Sequence, residues 1–277
     1  MRAAPWDAVS NLGAGIHGAV SRFGVFVRFS GDALGALVRH PRASLRWDTL
    51  GPLLLEVGTA SVPVVALTGL LVGLILSVEG YAQFEAIGAE RRMGGIINAN
   101  VVKQIGPVLA AVMVAGRVGG AIAAELGAMR IDDQLDAMRS TGADPVARLV
   151  PARVAACAVM TPVLTVYSDV LGAFGAWAVL TQVHGVPSEE YWHHTSMFLL
   201  ALDPLNGLLK AACFGTAIGL IASYKGFTCA PGPLGVARAA TGAFVASFVA
   251  IVAINLVLVE FLNGVTVLIH GALPRVL

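Results

Sequence analysis

Five long apolar stretches dominate the pattern of hydrophobic and polar positions along this chain. They cover residues 52–80, 96–128, 148–182, 196–223 and 236–270. Since a helix needs about 20 apolar residues to cross a bilayer, each stretch is long enough to span it with some tilt or overhang. Kinks are expected at four prolines, Pro63, Pro107, Pro162 and Pro204. The pattern predicts an all-α, polytopic membrane protein with about five transmembrane helices.

The segment before the first stretch is amphipathic rather than uniformly apolar. Between residues 6 and 40, Trp6, Phe23, Phe26, Phe29 and Leu37 alternate with Arg22, Arg28 and Arg39. A helix of this kind is expected to lie in the membrane interface. A basic elbow follows at residues 40–47. We therefore predict an N-terminal interfacial segment, residues 1–50, and a transmembrane domain, residues 51–277.

A polar island, ELGAMRIDDQLDAMRSTGADP, interrupts the apolar pattern at residues 125–145. Its apolar positions recur at i, i+4 and i+7, at Ile131, Leu135 and Met138. Asp132 and Asp133 fall in the first turn of the predicted helix and Arg139 in its last, which suits the helix dipole. Gly142 then predicts the end of the helix. A helix over 131–141, about 16 Å long, is too short to cross a bilayer and is expected to dock against a partner.

The composition agrees with a membrane protein. The 277 residues are 57% hydrophobic and only 13% charged, about half the charged share of a typical soluble domain. The net charge of +1 argues against a nucleic-acid binder, which needs a basic patch.

Lys and Arg residues outside the spans are distributed unequally between the two sides. Twelve fall on the side of the N-terminus: Arg2, Arg22, Arg28, Arg39, Arg42, Arg46, Arg130, Arg139, Arg148, Arg153, Lys225 and Arg238. Three fall on the other side: Arg91, Arg92 and Arg275. The positive-inside rule then predicts a cytoplasmic N-terminus, a cytoplasmic polar island and a C-terminus on the outer side.

Several ionisable residues fall within or at the ends of the apolar stretches: Glu56, Glu79, Lys103, Arg117, Glu125, Asp169, Asp203, Lys210 and Glu260. Each is costly in hydrocarbon, so each should face protein or water, either as a polar pathway or as internal ion pairs and snorkelling side chains. We favour the second interpretation for Glu56, Asp203 and Glu260. Arg117 needs a carboxylate or carbonyl partner, and Glu125, two turns along the same face, extends a polar seam from it.

Small residues at GxxxG spacing occur in three stretches, at Gly69/Gly73, Gly116/Gly120 and Gly215/Gly219. Such pairs predict close helix–helix packing through the bundle.

Sequence motifs for catalysis were sought without result. The chain contains no GxxxxGK[ST], HExxH or GxSxG, so it carries no P-loop ATPase site of its own. SEEYWHH, residues 188–194, lacks a further metal ligand and is interpreted as an aromatic, polar loop at the outer interface. Cys157, Cys213 and Cys229 form no CxxC pair and are interpreted as packing residues. We predict no cofactor in this chain, so any ATP is bound by a partner.

Residues 105–145, IGPVLAAVMVAGRVGGAIAAELGAMRIDDQLDAMRSTGADP, closely resemble the signature of MlaE/YrbE-type permeases, the membrane subunits of MCE-associated ABC lipid transporters. Residues 69–81, GLLVGLILSVEGY, and residues 226–245, GFTCAPGPLGVARAATGAFV, extend the resemblance over most of the chain.

The resemblance implies a homodimer in the bacterial inner membrane, with a cytoplasmic ABC ATPase on each copy and a periplasmic MCE protein. The polar island is then the coupling helix for the ATPase, with Arg130, Asp132, Asp133, Gln134, Asp136 and Arg139 as coupling residues. The lipid site is expected near the outer end of span one and the start of span two. By position it involves Leu76, Glu79, Phe84, Ile87, Lys103 and Gln104.

This chain departs from the family pattern at three places. The usual Arg-Glu before the Gly-Pro of span two is Lys103-Gln104, so a carboxylate is replaced by an amide. The usual Glu-Gln of the coupling segment is Asp133-Gln134, and Asn255 stands where an aspartate is expected. The first departure leaves open which headgroup charge the site prefers.

Two other function classes would also use a polytopic helical protein. A secondary transporter or channel would use the intramembrane charges as an ion path, but no pair of broken, symmetry-related spans is evident. An assembly scaffold without transport would leave the kinked, Gly-rich spans unexplained.

Overall fold

A computed structural model describes residues 5–39, 41, 46–199 and 202–270. Within these ranges the chain is helical and contains no strand. The helices are α1 (Pro5–Arg39), α2 (Trp47–Gly58), α3 (Val62–Ala86), α4 (Met93–Asn100), α5 (Gly106–Val114), α6 (Gly120–Ile131), α7 (Gln134–Ser140), α8 (Pro145–Gln182), α9 (Ser188–Phe198), α10 (Leu202–Phe227) and α11 (Pro233–His270). A 3₁₀ turn (Glu90–Arg92) precedes α4, and two π-helical segments, π1 (Val101–Ile105) and π2 (Ala115–Gly119), flank α5. Arg2, Arg42, Arg275 and most of the predicted basic elbow lie outside the described residues.

Five helical segments are long and apolar enough to cross a membrane, which confirms the predicted all-α polytopic fold. They are Trp47–Ala86, Glu90–Ile131, Pro145–Gln182, Leu202–Phe227 and Pro233–Leu262. The amphipathic segment forms the separate helix α1, whose interfacial position remains a prediction. The division of the chain at residue 50 also remains a prediction.

Helix α8 lies at the centre of the bundle, between α3 on one side and α10 on the other. Glycines permit both approaches: an added Cβ on Gly69 would lie 2.5 Å from the Ser168 carbonyl oxygen, and one on Gly219 would lie 2.8 Å from Val154 Cα. The predicted small-residue interfaces at Gly69/Gly73 and Gly215/Gly219 are therefore confirmed. Gly116 and Gly120 pack more loosely, with Phe244 and Ala240 of α11 as their nearest neighbours.

The bundle has two ends, which we name after the short helices there. At the α7 end, α1 packs on α8 and α10: Ala33 is buried, and Phe26 and Phe29 both make edge contacts with Tyr224. At the α9 end, Tyr81 stacks on His184, and Arg91 pairs with Glu190 at 2.9 Å.

Span two is not a regular α-helix. Pro107, in the first turn of α5, has no N–H to donate to the Lys103 carbonyl one turn earlier, and the preceding residues form π1. Span one is similarly interrupted at residues 59–61, before Pro63 at the start of α3. By contrast, Pro162 lies within a helix continuous from Pro145 to Gln182, and Pro204 lies in the first turn of α10.

The predicted helix over 131–141 is wrong at its start. Ile131 ends α6, and Asp132 and Asp133 form a turn rather than the first turn of the next helix. Asp133 adopts a left-handed conformation (φ 56°), which short polar side chains tolerate better than most. Helix α7 is therefore only seven residues long.

The predicted end of this helix is confirmed. Gly142 has φ 78°, and the Ala143 N–H donates to the Met138 carbonyl at 3.0 Å, as in a Schellman motif. The side chain of Asp144 then caps α8 by accepting from the Val146 N–H at 3.0 Å.

Residues 188–194 belong to helix α9 and are not the predicted loop. Glu189 and Glu190 occupy its first turn, where the helix dipole favours acids. Tyr191 is fully buried and anchors α9 to span two, because Asn98 Nδ2 donates to its hydroxyl at 2.8 Å. The hydroxyl in turn donates to the Ala173 carbonyl at 2.8 Å.

Candidate functional site

A cavity of about 400 Å³ lies between α3 and the first half of span two, from α4 to π1. We call it the α3–α4 cavity. Most of its lining is apolar; the polar side chains in the wall are those of Glu79, Gln83, Asn100 and Gln104. Such a surface suits a ligand with a long apolar part and a small polar part.

The cavity extends along span two. Its near end is at the α9 end of the bundle, where an added Cβ on Gly80 would lie 2.6 Å from Met93 Cε. Its deep end is at Gln104, eleven residues after Met93, or about 16 Å along a helix. Glu79, next to Gly80, therefore lies at the near end, far from Gln104.

The six residues predicted for the lipid site divide into two groups. Leu76, Glu79, Phe84 and Gln104 line the α3–α4 cavity. Ile87 follows the end of α3 and is 74% exposed, away from the cavity lining. Lys103 forms an ion pair with Asp203 of α10, at 3.0 Å, and does not line the cavity. A lipid-binding role for any of them remains a prediction.

A polar cluster surrounds π1 at the deep end of the cavity. Lys210 of α10 is buried, and its ammonium donates to the Lys103 carbonyl and to Gln104 Oε1, both at 3.0 Å. Lys210 therefore satisfies the carbonyl that Pro107 leaves without its helical partner. Gly207 allows this approach, because an added Cβ there would lie 2.5 Å from the Val102 carbonyl oxygen.

A second concavity, the α11 groove, meets the first at Gln104. Its volume is about 560 Å³, and apart from Gln104 its lining comes from α11: Phe248, Val249, Val252, Ala253, Asn255, Leu256 and Val259. Asn255 Oδ1 is buried without a hydrogen-bond partner among the described residues. Gln104 and Asn255, two of the three departures from the family pattern, thus line the same groove.

Arg117 and Glu125 line one small cavity with Glu56, but each side chain bonds to a different helix. Arg117 donates to Ser61 Oγ at 3.1 Å, so its partner is a hydroxyl rather than the predicted carboxylate or carbonyl. Glu125 accepts from Arg153 of α8 at 2.7 Å. The two residues share a face, as predicted, and they connect span two to the break in span one and to α8.

Helix α7 presents a polar surface at its end of the bundle. Leu135 is buried and holds α7 against the bundle, whereas Asp132, Asp133, Gln134, Asp136 and Arg139 are exposed. Arg139 pairs with Asp136 at 2.7 Å within the helix. Arg130 donates to the Phe227 carbonyl at 2.5 Å and so connects the end of α6 to the end of α10. The residues predicted for ATPase coupling are therefore all exposed at this end of the bundle, and Arg130 in addition bonds to the end of α10.

The sequence does not predict some residues of the cavity wall, nor the role of Lys210 behind it. Ile96 and Asn100 lie eight and four positions before Gln104, respectively, and line the same wall, a helical spacing that could have identified them. The sequence identifies Lys210 only as an intramembrane charge, and nothing in its neighbourhood in the sequence points to Gln104.

The comparisons with known proteins identify the family. A family model described as Permease MlaE matches residues 53–261. This chain belongs to the MlaE permease family. The matched residues include both concavities, helix α7 and the polar cluster at π1, whereas α1 lies outside the match.

Relatives of this MlaE family member are similar over most of their length. A probable ABC transporter permease protein of Rickettsia typhi is 35% identical over 239 residues, covering 86% of this chain and 91% of the relative. The intermembrane phospholipid transport system permease protein MlaE of Haemophilus influenzae is 29% identical over 231 residues, covering 83% and 88%. The protein TRIGALACTOSYLDIACYLGLYCEROL 1, chloroplastic, of Arabidopsis thaliana is 30% identical over 225 residues, covering 81% and 64%.

Proposed function

We propose that this chain is the permease subunit of an ABC transporter that moves phospholipid-like lipids between the bacterial inner membrane and a periplasmic MCE partner. The observation that carries the proposal is the α3–α4 cavity, which has apolar walls and an amide at its deep end. A lipid needs apolar walls for its tails and only a few polar contacts for its headgroup. The phospholipid transport named for the Haemophilus relative supports the same substrate class.

The transporter is proposed to work as a homodimer. Spans one and five are the least buried within one copy. In their most apolar segments of 18 residues, 28% and 17% of the segment is buried, against at least 50% in the other three spans. A second copy placed against α11 would close the α11 groove and join it to the α3–α4 cavity at Gln104. The lipid would then be held between two copies.

A separate ABC ATPase is proposed to bind α7 and to supply the energy. Helix α7 is joined by short turns to α6 and to α8, so a force on α7 reaches spans two and three directly. In span two, π1 lines the deep end of the cavity and π2 lies between the cavity and α7, and π segments frequently occur at functional sites. Closure of the ATPases would change the shape of the cavity by moving these spans.

The proposed orientation places the α7 end in the cytoplasm and the α9 end toward the periplasmic MCE partner. The structure describes many of the Lys and Arg residues that were assigned to one side or the other from the sequence. Those toward the α7 end include Arg130, Arg139, Arg148, Arg153 and Lys225, whereas Arg91 and Arg92 lie at the α9 end. This distribution supports the positive-inside assignment.

The test combines co-purification with an ATPase assay. The chain is tagged, purified with its neighbouring subunits and reconstituted in nanodiscs. We expect an ABC ATPase to co-purify and lipid to stimulate ATP hydrolysis. Replacing Asp132, Asp133 and Asp136 by Lys, or Gln134 by Ala, should lower stimulation by at least roughly tenfold, the effect of losing a few charged contacts. Glu189→Lys, an exposed reversal at the α9 end, is the matched control.

Three results would contradict the proposal. Lipid-stimulated hydrolysis that survives all α7 changes would show that coupling occurs elsewhere. Flux without any ATPase, driven by the membrane potential, would favour a secondary transporter or channel, and a stable complex without lipid movement would favour a scaffold.

A further inference from the structure

The orientation of the Gln104 side chain carries an inference about the headgroup. An ammonium group can only donate hydrogen bonds, so the Gln104 atom 3.0 Å from Lys210 Nζ must be the amide oxygen. The amide nitrogen then occupies the other branch of the side chain. Gln104 lines both the α3–α4 cavity and the α11 groove. Among the described residues its side chain bonds through the oxygen to Lys210, so its NH₂ group can donate to a ligand there.

Lys210 can fix the orientation of the Gln104 amide because the Lys210 side chain is itself fixed in place. It is buried, and its second hydrogen bond goes to the Lys103 carbonyl, which Pro107 leaves without its helical partner. A buried ammonium with two such acceptors does not release one of them without cost. Lys210 is therefore a positioning residue, and Gln104 is the group that a ligand would contact.

The charges around the deep end favour an acceptor ligand. Lys210 polarises the Gln104 amide and strengthens its NH₂ group as a donor, and the Lys103 ammonium lies beside it in the chain, paired with Asp203. Glu79 is the acid in the cavity lining, and it lies at the near end, about 16 Å along span two from Gln104. The Asp169 carboxyl lies against Gly106 and lines neither concavity.

We propose that the deep end of the α3–α4 cavity is a headgroup subsite that selects lipids with an anionic phosphate headgroup over zwitterionic ones, through the NH₂ group of a Gln104 side chain held by Lys210. The inference rests on the proposed lipid permease function and adds the headgroup class. The phosphate accepts a hydrogen bond from the Gln104 NH₂ group. An ammonium on the same headgroup would lie near the positive charges of Lys210 and Lys103, and no carboxylate of the cavity lining would be close enough to pair with it.

The test uses photoactivatable lipids in nanodiscs made from equal amounts of phosphatidylglycerol and phosphatidylcholine. Each headgroup is supplied in turn with a diazirine in one acyl chain, and mass spectrometry measures cross-linking to the peptides that contain Phe84, Ile105 and Phe248. We expect the wild-type protein to favour phosphatidylglycerol by roughly tenfold, the effect of one hydrogen bond to a charged group. Gln104→Glu should remove or reverse the preference, since its second carboxylate oxygen would repel the phosphate.

Two further variants separate charge from position. Gln104→Met, which removes the donors without adding charge, should bring the ratio close to one. Gln83→Glu places the same new charge elsewhere in the cavity wall and should leave the ratio unchanged. Size-exclusion profiles matching the wild type establish that the variants are folded.

The possible outcomes distinguish this inference from the proposed function. An unchanged ratio in Gln104→Glu overturns the subsite, and a shift in Gln83→Glu as large as that in Gln104→Glu places the headgroup elsewhere in the cavity. Both results would leave lipid transport intact. If neither lipid cross-links to the cavity peptides, the lipid site of the proposed function fails and the subsite fails with it.

Discussion

Gly69 and Gly73 on α3 face the backbone of α8 without any side chain between the two helices. An added Cβ on Gly73 would collide with the Gly172 carbonyl oxygen, and one on Gly175 would lie 2.5 Å from the Leu70 carbonyl oxygen. The neighbouring atoms are backbone atoms, which cannot rotate away as a flexible side chain would. These residues therefore set the distance between span one and the central helix.

Replacing Gly73 by Ala should force α3 and α8 apart. Overpacking of this kind costs about 1–3 kcal/mol, so we expect a fall of several degrees in Tm, measured by unfolding in detergent with a thiol-reactive dye. Gly264→Ala is the matched control, because an added Cβ there meets nothing within 4 Å. An unchanged Tm for Gly73→Ala would show that the two helices are not in this close contact.

At the scale of single elements, each π segment of span two contains one basic residue. Lys103 lies in π1 and Arg117 in π2, and each side chain bonds to a neighbouring span: Lys103 to Asp203 of α10, and Arg117 to Ser61 at the break in span one. Span two is thus an α-helix with two wide turns, each connected laterally by a polar contact. This makes span two the element best suited to change shape between two states of the cavity.

The buried hydroxyl of Tyr191 contributes to the attachment of helix α9, beside the Asn98–Thr195 hydrogen bond and the Arg91–Glu190 ion pair. Burial raises the pKa of Tyr191 to about 12, although the hydrogen bond with Asn98 opposes this rise. An acid whose pKa is higher in the folded protein stabilises the fold while it stays protonated. The contribution of Tyr191 is therefore fully present below its unfolded pKa, near 10, and is lost as the pH rises from about 10 to about 12.

Hydrogen exchange and Tm measured between pH 8 and pH 11.5 test this attachment. We expect the wild-type protein to lose protection in α9 above about pH 10. Tyr191→Phe should cost about 1–2 kcal/mol at pH 8, since it leaves the Ala173 carbonyl without this donor. It should also remove the part of the pH dependence that arises from Tyr191. If the variant and the wild type lose α9 protection at the same pH, the attachment does not depend on this hydroxyl.

At the scale of the whole molecule, one copy of the chain leaves its two concavities open. The α11 groove is largely apolar, with Val249 and Leu256 each more than 60% exposed. Exposed apolar side chains are normal against lipid, so exposure alone does not indicate an interface. The indication is the position of Gln104, which lies where the groove and the α3–α4 cavity meet.

Cysteine cross-linking tests the arrangement of two copies. With α11 at the dimer interface, Leu256→Cys should give a disulfide-linked dimer on mild oxidation in native membranes. Val170→Cys, on α8 and similarly exposed at 61%, is the matched control and should remain monomeric on denaturing gels. Because Cys157 and Cys229 are buried, they should contribute little background, and the half-buried Cys213 is replaced by Ala in both variants. Cross-linking through Val170→Cys alone would place the interface on α8 instead.

Much of this architecture could be predicted from local sequence. The number of spans, the amphipathic N-terminal helix and the helix end at Gly142 depend on short-range hydropathy or on turn chemistry. The errors are local as well. Asp132 and Asp133 suit the first turn of a helix by charge, but they form the turn before α7, and residues 188–194 are a helix because Tyr191 is buried against Asn98.

The arrangement of the candidate site depends on tertiary structure. Lys210 and Gln104 are 106 positions apart, and neither neighbourhood in the sequence indicates the contact. Local sequence also does not indicate three other contacts: Lys103 with Asp203, Glu125 with Arg153 rather than Arg117, and Gly207 with π1.

The sequence by itself determined the membrane-spanning fold and the family, because span length follows from consecutive apolar residues and the family from a long contiguous motif. Only the tertiary structure decided which polar groups pair inside the bundle. In a low-dielectric interior each buried donor must find an acceptor wherever the packing brings one within about 3 Å. For Lys210 those acceptors are the carbonyl left free by Pro107 and the amide oxygen of Gln104.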